Sequence, residues 1–224
     1  MDANKKAVLD LRIRKTMDHL QQNGMSAVYL ESREQVLSWL QQAIPEGATV
    51  AHGGSMTLAE CGVVDWLRQE PRLCYLDRDQ PGLTREERTE RMRQALLSDV
   101  YLSSVNALTE NGELFNVDGN GNRVAALLYG PRRVILVVGV NKIVSDLKEA
   151  EVRVKKIACP ANTVRLGCPT YCREKGECAA FLSGNPTLTS GCGRNSICND
   201  FVIMKNQSVP GRITVALVDE ELGY

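Results

Sequence analysis

Five consecutive apolar residues, Val134-Ile135-Leu136-Val137-Val138, follow the turn Gly130-Pro131 and run without alternation. A strand with one wet face alternates apolar and polar residues. A strand without alternation is buried on both faces, as in the middle of a sheet covered by helices. The run ends in Gly139-Val140-Asn141-Lys142, just ahead of a helical pattern. Polar residues past the C-terminal end of such a strand stand where open α/β sheets place their ligands. Upstream, Leu114–Asp118 and Arg123–Tyr129 flank Gly119-Asn120-Gly121-Asn122. Glycine and asparagine supply the positive φ angles of a tight turn, so the spacing predicts a β-hairpin there.

The remaining pattern agrees with this centre. Ala7, Val8, Leu11, Met17 and Leu20 mark a first helix that stops at Gly24, and Ala27–Leu30 reads as a strand. A helix follows from Ser32, with Gln35 as capping-box partner and Val36, Leu37, Leu40 and Ile44 as its buried stripe. Ala48–Ala51, Leu73–Leu76 and Val100–Val105 are further strands, and a charged helix opens on a Thr84/Glu87 capping box. After Lys142, a helix runs through Lys156 until Pro160 breaks it, and Phe201–Met204 and Ile213–Val218 close the pattern. Helices alternating with strands predict a single α/β domain over residues 1–224, a three-layer sandwich with a mostly parallel sheet plus an antiparallel hairpin. The segment 158–200, rich in Cys, Gly, Pro, Ser and Asn, is expected as a loop inside it.

Charge and length exclude several classes. The 27 basic and 27 acidic residues balance, so no basic field argues for nucleic acid. The N-terminal segment is charged throughout, which is unlike a signal peptide, and no run is long enough to span a bilayer. A cytoplasmic protein is expected. Dinucleotide and Walker fingerprints are absent, so neither NAD nor ATP is supported.

Two places carry candidate chemistry. Gly53, Gly54, Ser55 and Thr57 lie between a strand and a helix with a Thr57/Glu60 capping box, a geometry able to present backbone N–H groups to an anion. The same residues are also read as a plain turn. Glu110, Asn141 and Lys142 are expected at neighbouring strand ends. Glu110 with Lys142 would make an acid–base pair, or Glu110 would attack an acyl group; alternatively Thr109–Gly112 is a turn and Asn141-Lys142 caps a helix. A small anionic metabolite is the expected ligand. His52 reads as a base, a ligand-orienting group or a satisfied structural histidine.

The second place is the cysteine segment. Cys159, Cys168, Cys172, Cys178, Cys192 and Cys198 are spaced C-x8-C-x3-C-x5-C-x13-C-x5-C. In a reducing compartment such thiols point to a metal, cluster or redox role. Zinc sites favour ligand pairs two to four residues apart, which the x5 pairs miss, so an iron–sulfur cluster is preferred and zinc is the alternative. Reduced, partly buried thiols are the remaining reading.

GGSMTLAECG (53–62), NALTENGELFNVDGNGNRVAALLYGP (106–131), VGVNKIVSDLKEA (138–150) and the closing GRITVALVDEELGY resemble the LUD domain of bacterial lactate-utilisation proteins, in its compact single-domain form. The resemblance implies a fold akin to CoA transferases and ribose-5-phosphate isomerases, and a place beside L-lactate oxidation. Compact members carry a C-terminal PC-x5-C…C…IC pattern, which stands here, with Tyr171 in place of its proline, as Cys172, Cys178, Cys192 and Cys198, the implied metal ligands. Three functions follow in order: a metal- or cluster-bearing component aiding oxidation of a small 2-hydroxy acid alongside other lactate-utilisation subunits; a stand-alone enzyme on a phosphorylated or CoA-linked molecule; and a non-catalytic redox or metabolite sensor. The long polar first helix suggests a homodimer.

Overall fold

In chain order, helix α1 (Ala3–Gln22) opens on Asp2, whose carboxylate accepts the N–H groups of Asn4 and Lys5, and turns Ile13, Thr16 and Leu20 inward. Strand β1 (Ser26–Leu30), α2 (Glu34–Ala43), β2 (Thr49–His52), α3 (Met56–Glu60), α4 (Val63–Gln69) and β3 (Cys74–Tyr75) follow. Next come α5 (Arg85–Gln94), β4 (Val100–Ser103), β5 (Ala107–Thr109), β6 (Leu114–Asp118), α6 (Asn122–Leu128), β7 (Arg133–Gly139), β8 (Ile143–Val144) and α7 (Leu147–Arg153). The chain continues through α8 (Cys159–Leu166), α9 (Tyr171–Lys175), β9 (Asp200–Met204) and β10 (Ile213–Val218). The computed structural model describes residues 2–184, 187–193 and 196–224.

Six strands form one parallel sheet in the order β1-β10-β7-β4-β2-β3. β7 lies inside it, between β10 and β4, and its alternate side chains enter two cores. Val134, Leu136 and Val138 pack with Ile13 and Leu20 of α1 and Leu127 of α6. Ile135 and Val137 pack with Val36 and Leu40 of α2, Leu58 of α3 and Leu67 of α4. Burying one such side chain is worth roughly 1.5–3 kcal/mol. Intrinsic strand propensities span only about 1 kcal/mol. Two-sided burial is therefore what holds this run as a central strand.

A smaller mixed sheet, β8-β5-β6-β9, packs Phe115 and Val117 against Ala150 and Val154, the latter just past α7. β5 runs antiparallel to β6, and β6 to β9. The antiparallel hairpin thus exists, but one element earlier than expected: it joins β5 to β6, and residues 122–128 are helix. The cause is Asp118. Its carboxylate accepts the N–H of Arg123 (2.9 Å) and of Val124 (3.2 Å), so the glycine-rich run delivers the chain into a helix start. Gly121, at φ +73°, makes that turn.

Pro160 does not break the helix before it. A π-helical turn, Val154–Ala158, joins α7 to α8, and the proline sits in the first turn of α8. The wider turn relieves the clash that a proline ring makes with the carbonyl four residues back. The Thr84/Glu87 capping box is present. The two other expected boxes are not: Arg33 occupies the N-cap position of α2, and Ser55 caps α3.

Candidate functional site

A cleft of about 1050 Å³ opens at the C-terminal ends of the parallel strands. Gly54 and Ser55 beyond β2, Ser104 beyond β4, Arg78 beyond β3 and Lys142 beyond β7 line it from the sheet side. The opposite wall comes from the β6–α6 turn, α5, α8, Cys168 and the segment around Ser196–Asn199. Among the described lining residues the basic side chains are Arg78, Arg85, Arg88, Arg93, Arg123, Lys142 and Arg165, against one carboxylate side chain, Asp118. That carboxylate already accepts two backbone N–H groups. Among the described residues the lining therefore carries an excess of positive charge.

Lys142 is its central group. It lies in a 3-10 turn between β7 and β8, with only 2% of its surface exposed. Its Nζ donates to Thr57 Oγ1 at 2.8 Å and to Ser104 Oγ at 3.1 Å. Burial, then the nearby charges of Arg153 and Arg123, push its pKa down to about 7, while Glu60 and Cys61 pull weakly the other way. A lysine so placed is half neutral near pH 7 and can take or give a proton.

Two more buried cations stand close by. The Arg123 guanidinium donates to the Ser104 and Val117 carbonyls and to the side-chain oxygens of Asn106 and Asn116, at 2.8–3.1 Å. Arg153 donates to the carbonyls of Asn141 (3.1 Å) and Asn106 (2.5 Å), and burial pushes its pKa down to about 10. Among the described residues, every hydrogen-bond partner of these three cations is uncharged. Asp118 favours the charged form of Arg123 and Glu60 that of Lys142, but burial opposes both, and a buried charge so incompletely compensated is costly. The positive field of this site is therefore held at a substantial cost to folding.

The other residues expected here take distinct places. Gly54 and Ser55 face the cleft; Arg165 Nη2 lies 4.0 Å from where a Gly54 Cβ would stand. Gly53 instead packs inward: a Cβ there would lie 2.9 Å from the Tyr101 hydroxyl and 3.1 Å from Arg123 Cγ. Thr57 is fully buried behind Lys142 and donates to the Leu222 carbonyl. Asn141 binds the tail of the chain, donating to the Gly223 carbonyl (3.0 Å) and accepting Leu222 N–H (3.1 Å). Tyr224, next along, lines the cleft near Arg165. Glu110 is not brought to Lys142. It lies outside the cleft lining, against α1, with Arg12 at 2.6 Å and Lys15 at 3.1 Å.

His52 is buried, with Nδ1 2.9 Å from the Tyr75 hydroxyl and Nε2 3.4 Å from Asp79. Asp79, kept far below the usual carboxylate range by His52 first and then by Arg78 and Arg88, pairs with both arginines at the cleft wall. His52 thus positions the wall rather than touching its interior. Sequence reasoning missed Ser104, Arg153, Arg165 and Tyr224. Ser104, a polar residue directly after a strand, carried a readable signal; charged residues on helices, such as Arg165, look like any solvated face.

The cysteines divide. Cys168 lines the cleft. Cys172 is buried at the start of α9, its Sγ 3.4 Å from Thr163 Oγ1 and 3.3 Å from Thr170 Oγ1. The sulfurs of Cys159 and Cys198 are hydrogen-bonded at 3.0 Å, which pushes Cys159 up and Cys198 down. Cys178 and Cys192 are raised chiefly by burial and then by neighbouring thiols. Among the described residues no three ligand side chains gather around one point as a mononuclear ion requires. Thiolates are donors soft enough for an iron–sulfur cluster or for zinc.

Among the described residues no helix is long and apolar enough to cross a membrane. No curated protein matches the chain. A crystal structure of a DUF162 family protein from Deinococcus radiodurans matches at 15% identity and a TM-score of 0.51, over 94% of this chain and 97% of that one. At that identity the likeness shows the α/β fold. The LUD domain model matches residues 13–218. This chain belongs to the LUD domain family.

Proposed function

We propose that the cleft holds a small anionic metabolite of 2-hydroxy-acid metabolism, with Lys142 as the acid–base group acting on it. The observation that carries this reading is the set of three buried cations, Lys142, Arg123 and Arg153, whose side-chain hydrogen-bond partners among the described residues are all neutral, beside a cleft lined with further arginines. Their charge is offset when a carboxylate enters. A neutral Lys142 amine would then accept the proton of the substrate hydroxyl as the carbon is oxidised. The two electrons require an acceptor, and in this reading other lactate-utilisation subunits supply it.

The thiolates of Cys172, Cys178, Cys192 and Cys198 are the proposed ligands of an iron–sulfur cluster, with zinc as the alternative; a bound cluster would supply one-electron transfer. The thiol-dominated, partly buried surroundings of Cys178 and Cys192 support it. Iron and acid-labile sulfide in stoichiometric amounts on protein purified without oxygen would support the cluster, and stoichiometric zinc without colour would replace it.

Calorimetric titration with lactate, pyruvate and inorganic phosphate tests the cleft. Saturable binding that weakens tenfold or more in Lys142→Ala, about 1.4 kcal/mol, is expected. Failure of every anion to bind sinks the reading. A second reading rests on size: the cleft reaches the top of the range for small-molecule sites, roughly 300–1,000 Å³. A 2-hydroxy acid would leave much of it empty. Arg85 and Arg93 on the outer wall favour a phosphorylated or CoA-linked ligand, whose binding Arg85→Ala would weaken selectively.

A further inference from the structure

We propose that Lys142 forms an imine with the carbonyl carbon of a 2-oxo acid. The inference rests on the anion-binding reading of the cleft and names its substrate class. Geometry points this way on three counts. The amine stands at the end of a parallel strand, lines the cleft, and is fixed by two hydroxyls, Thr57 Oγ1 and Ser104 Oγ, rather than by a carboxylate. A lysine meant only to attract anions is best left solvated and charged; one buried among other cations loses its proton and gains a nucleophilic lone pair. The charges that deprotonate it, Arg153 from α7 and Arg123 from α6, stay charged, and with Arg165 across the cleft they favour a ligand carrying a carboxylate. Glu60 and Cys61, the other titratable groups facing Lys142, oppose this weakly. An amine beside two buried guanidinium groups matches a carbonyl beside a carboxylate.

The step balances without a redox partner. The Lys142 nitrogen adds to the carbonyl carbon, forming a C–N bond and opening the C=O bond to a hydroxyl. The two amine protons pass to that oxygen, with the Ser104 hydroxyl, which lines the cleft, in place to relay them. The oxygen leaves as water, and the product is the imine of Lys142 with the 2-oxo acid. The imine nitrogen, once protonated, draws electrons from the neighbouring carbons and makes their C–H or C–C bonds labile.

Pyruvate with cyanoborohydride, read by intact mass and peptide mapping, tests this on the full-length protein. The expected result is one stable adduct, mapped to Lys142, absent with lactate and absent in Lys142→Arg. Should that variant fold poorly, peptide mapping of the wild-type protein still locates the adduct. Adducts confined to other lysines, or none, overturn the imine. Calorimetry on the same sample separates the two failures: pyruvate binding without an adduct removes the imine and leaves the anion site standing, whereas no binding removes both.

Discussion

The Nζ of Lys142 lies 2.8 Å from Thr57 Oγ1, joining the turn after β7 to the helix that follows β2. Folding gains little from this bond, because it holds a charge out of water. Replacing Lys142 by Met is expected to raise stability by about 1–3 kcal/mol at pH 6 while abolishing anion binding. The folded lysine titrates at about 7 and its unfolded counterpart at 10.5. Between those values the unfolded chain binds more protons, so wild-type stability climbs with pH. Urea midpoints for the two proteins should therefore converge from pH 6 to pH 10, and a constant gap would contradict the assignment.

Arg153 holds Lys142 down by charge, while its own hydrogen bonds go to the carbonyls of Asn141 and Asn106. In Arg153→Met the amine should titrate higher, because Arg123 remains as its only strong cationic neighbour and Glu60 and Cys61 pull upward. The pH dependence of acylation at Lys142, followed by mass spectrometry, would shift to more alkaline values. An unmoved profile would mean that Arg153 has no part in setting it.

Adjacent glycines should behave oppositely. Gly53→Ala places a Cβ 2.9 Å from the Tyr101 hydroxyl and 3.1 Å from Arg123 Cγ, and overpacking of this kind costs about 1–3 kcal/mol. Gly54→Ala meets only Arg165, at 4.0 Å, and should change stability by less than about 0.5 kcal/mol while weakening anion binding. Denaturation midpoints alongside calorimetry separate the two effects.

Asn141→Ala should act on the fold. The side chain satisfies Leu222 N–H and the Gly223 carbonyl, and losing both bonds costs about 1–3 kcal/mol. The expected signature is a lowered melting temperature with ligand affinity falling less than in Lys142→Ala. The opposite order would return Asn141 to the binding site.

Glu110→Gln is expected to leave turnover and anion binding unchanged and to loosen α1 by at most about 1 kcal/mol. Burial alone would raise this carboxyl, but Arg12 and Lys15 outweigh it and hold it below its ordinary value. Its contribution is present above the unfolded carboxylate range and is lost as pH falls through the lowered value. Hydrogen exchange along α1, compared at pH 7 and pH 3, reads that loss.

Much of this was legible in residue order. Val134–Val138 announced the central strand because two-sided burial erases alternation, and the strand-end rule led to Lys142. The word NVDGNGNR misled because glycine and asparagine serve a hairpin and a helix start equally well; only the reach of the Asp118 carboxylate to Arg123 and Val124 decides. Glu110 misled because adjacency in sheet order says nothing about which face a side chain takes, and α1 claims it. Arg153 and Arg165 were invisible for a different reason. A buried cation and a solvated one are written with the same letter, and the π-turn before Pro160 that carries α8 to the cleft has no sequence signal of its own.

The strand order has a consequence for how the chain is made. β10 lies between β1 and β7, pairing Ser26–Leu30 on one side and Val134–Gly139 on the other. During synthesis from the N-terminus, β1 waits for β10 to emerge before it meets this sheet neighbour, and β7 until then keeps one bare edge. Contacts so distant in sequence form slowly, and an unpaired apolar strand invites pairing with another chain. The cysteine segment and β9 emerge inside that interval, so Ile213–Val218 both completes the sheet and ends the nascent chain's exposure to aggregation.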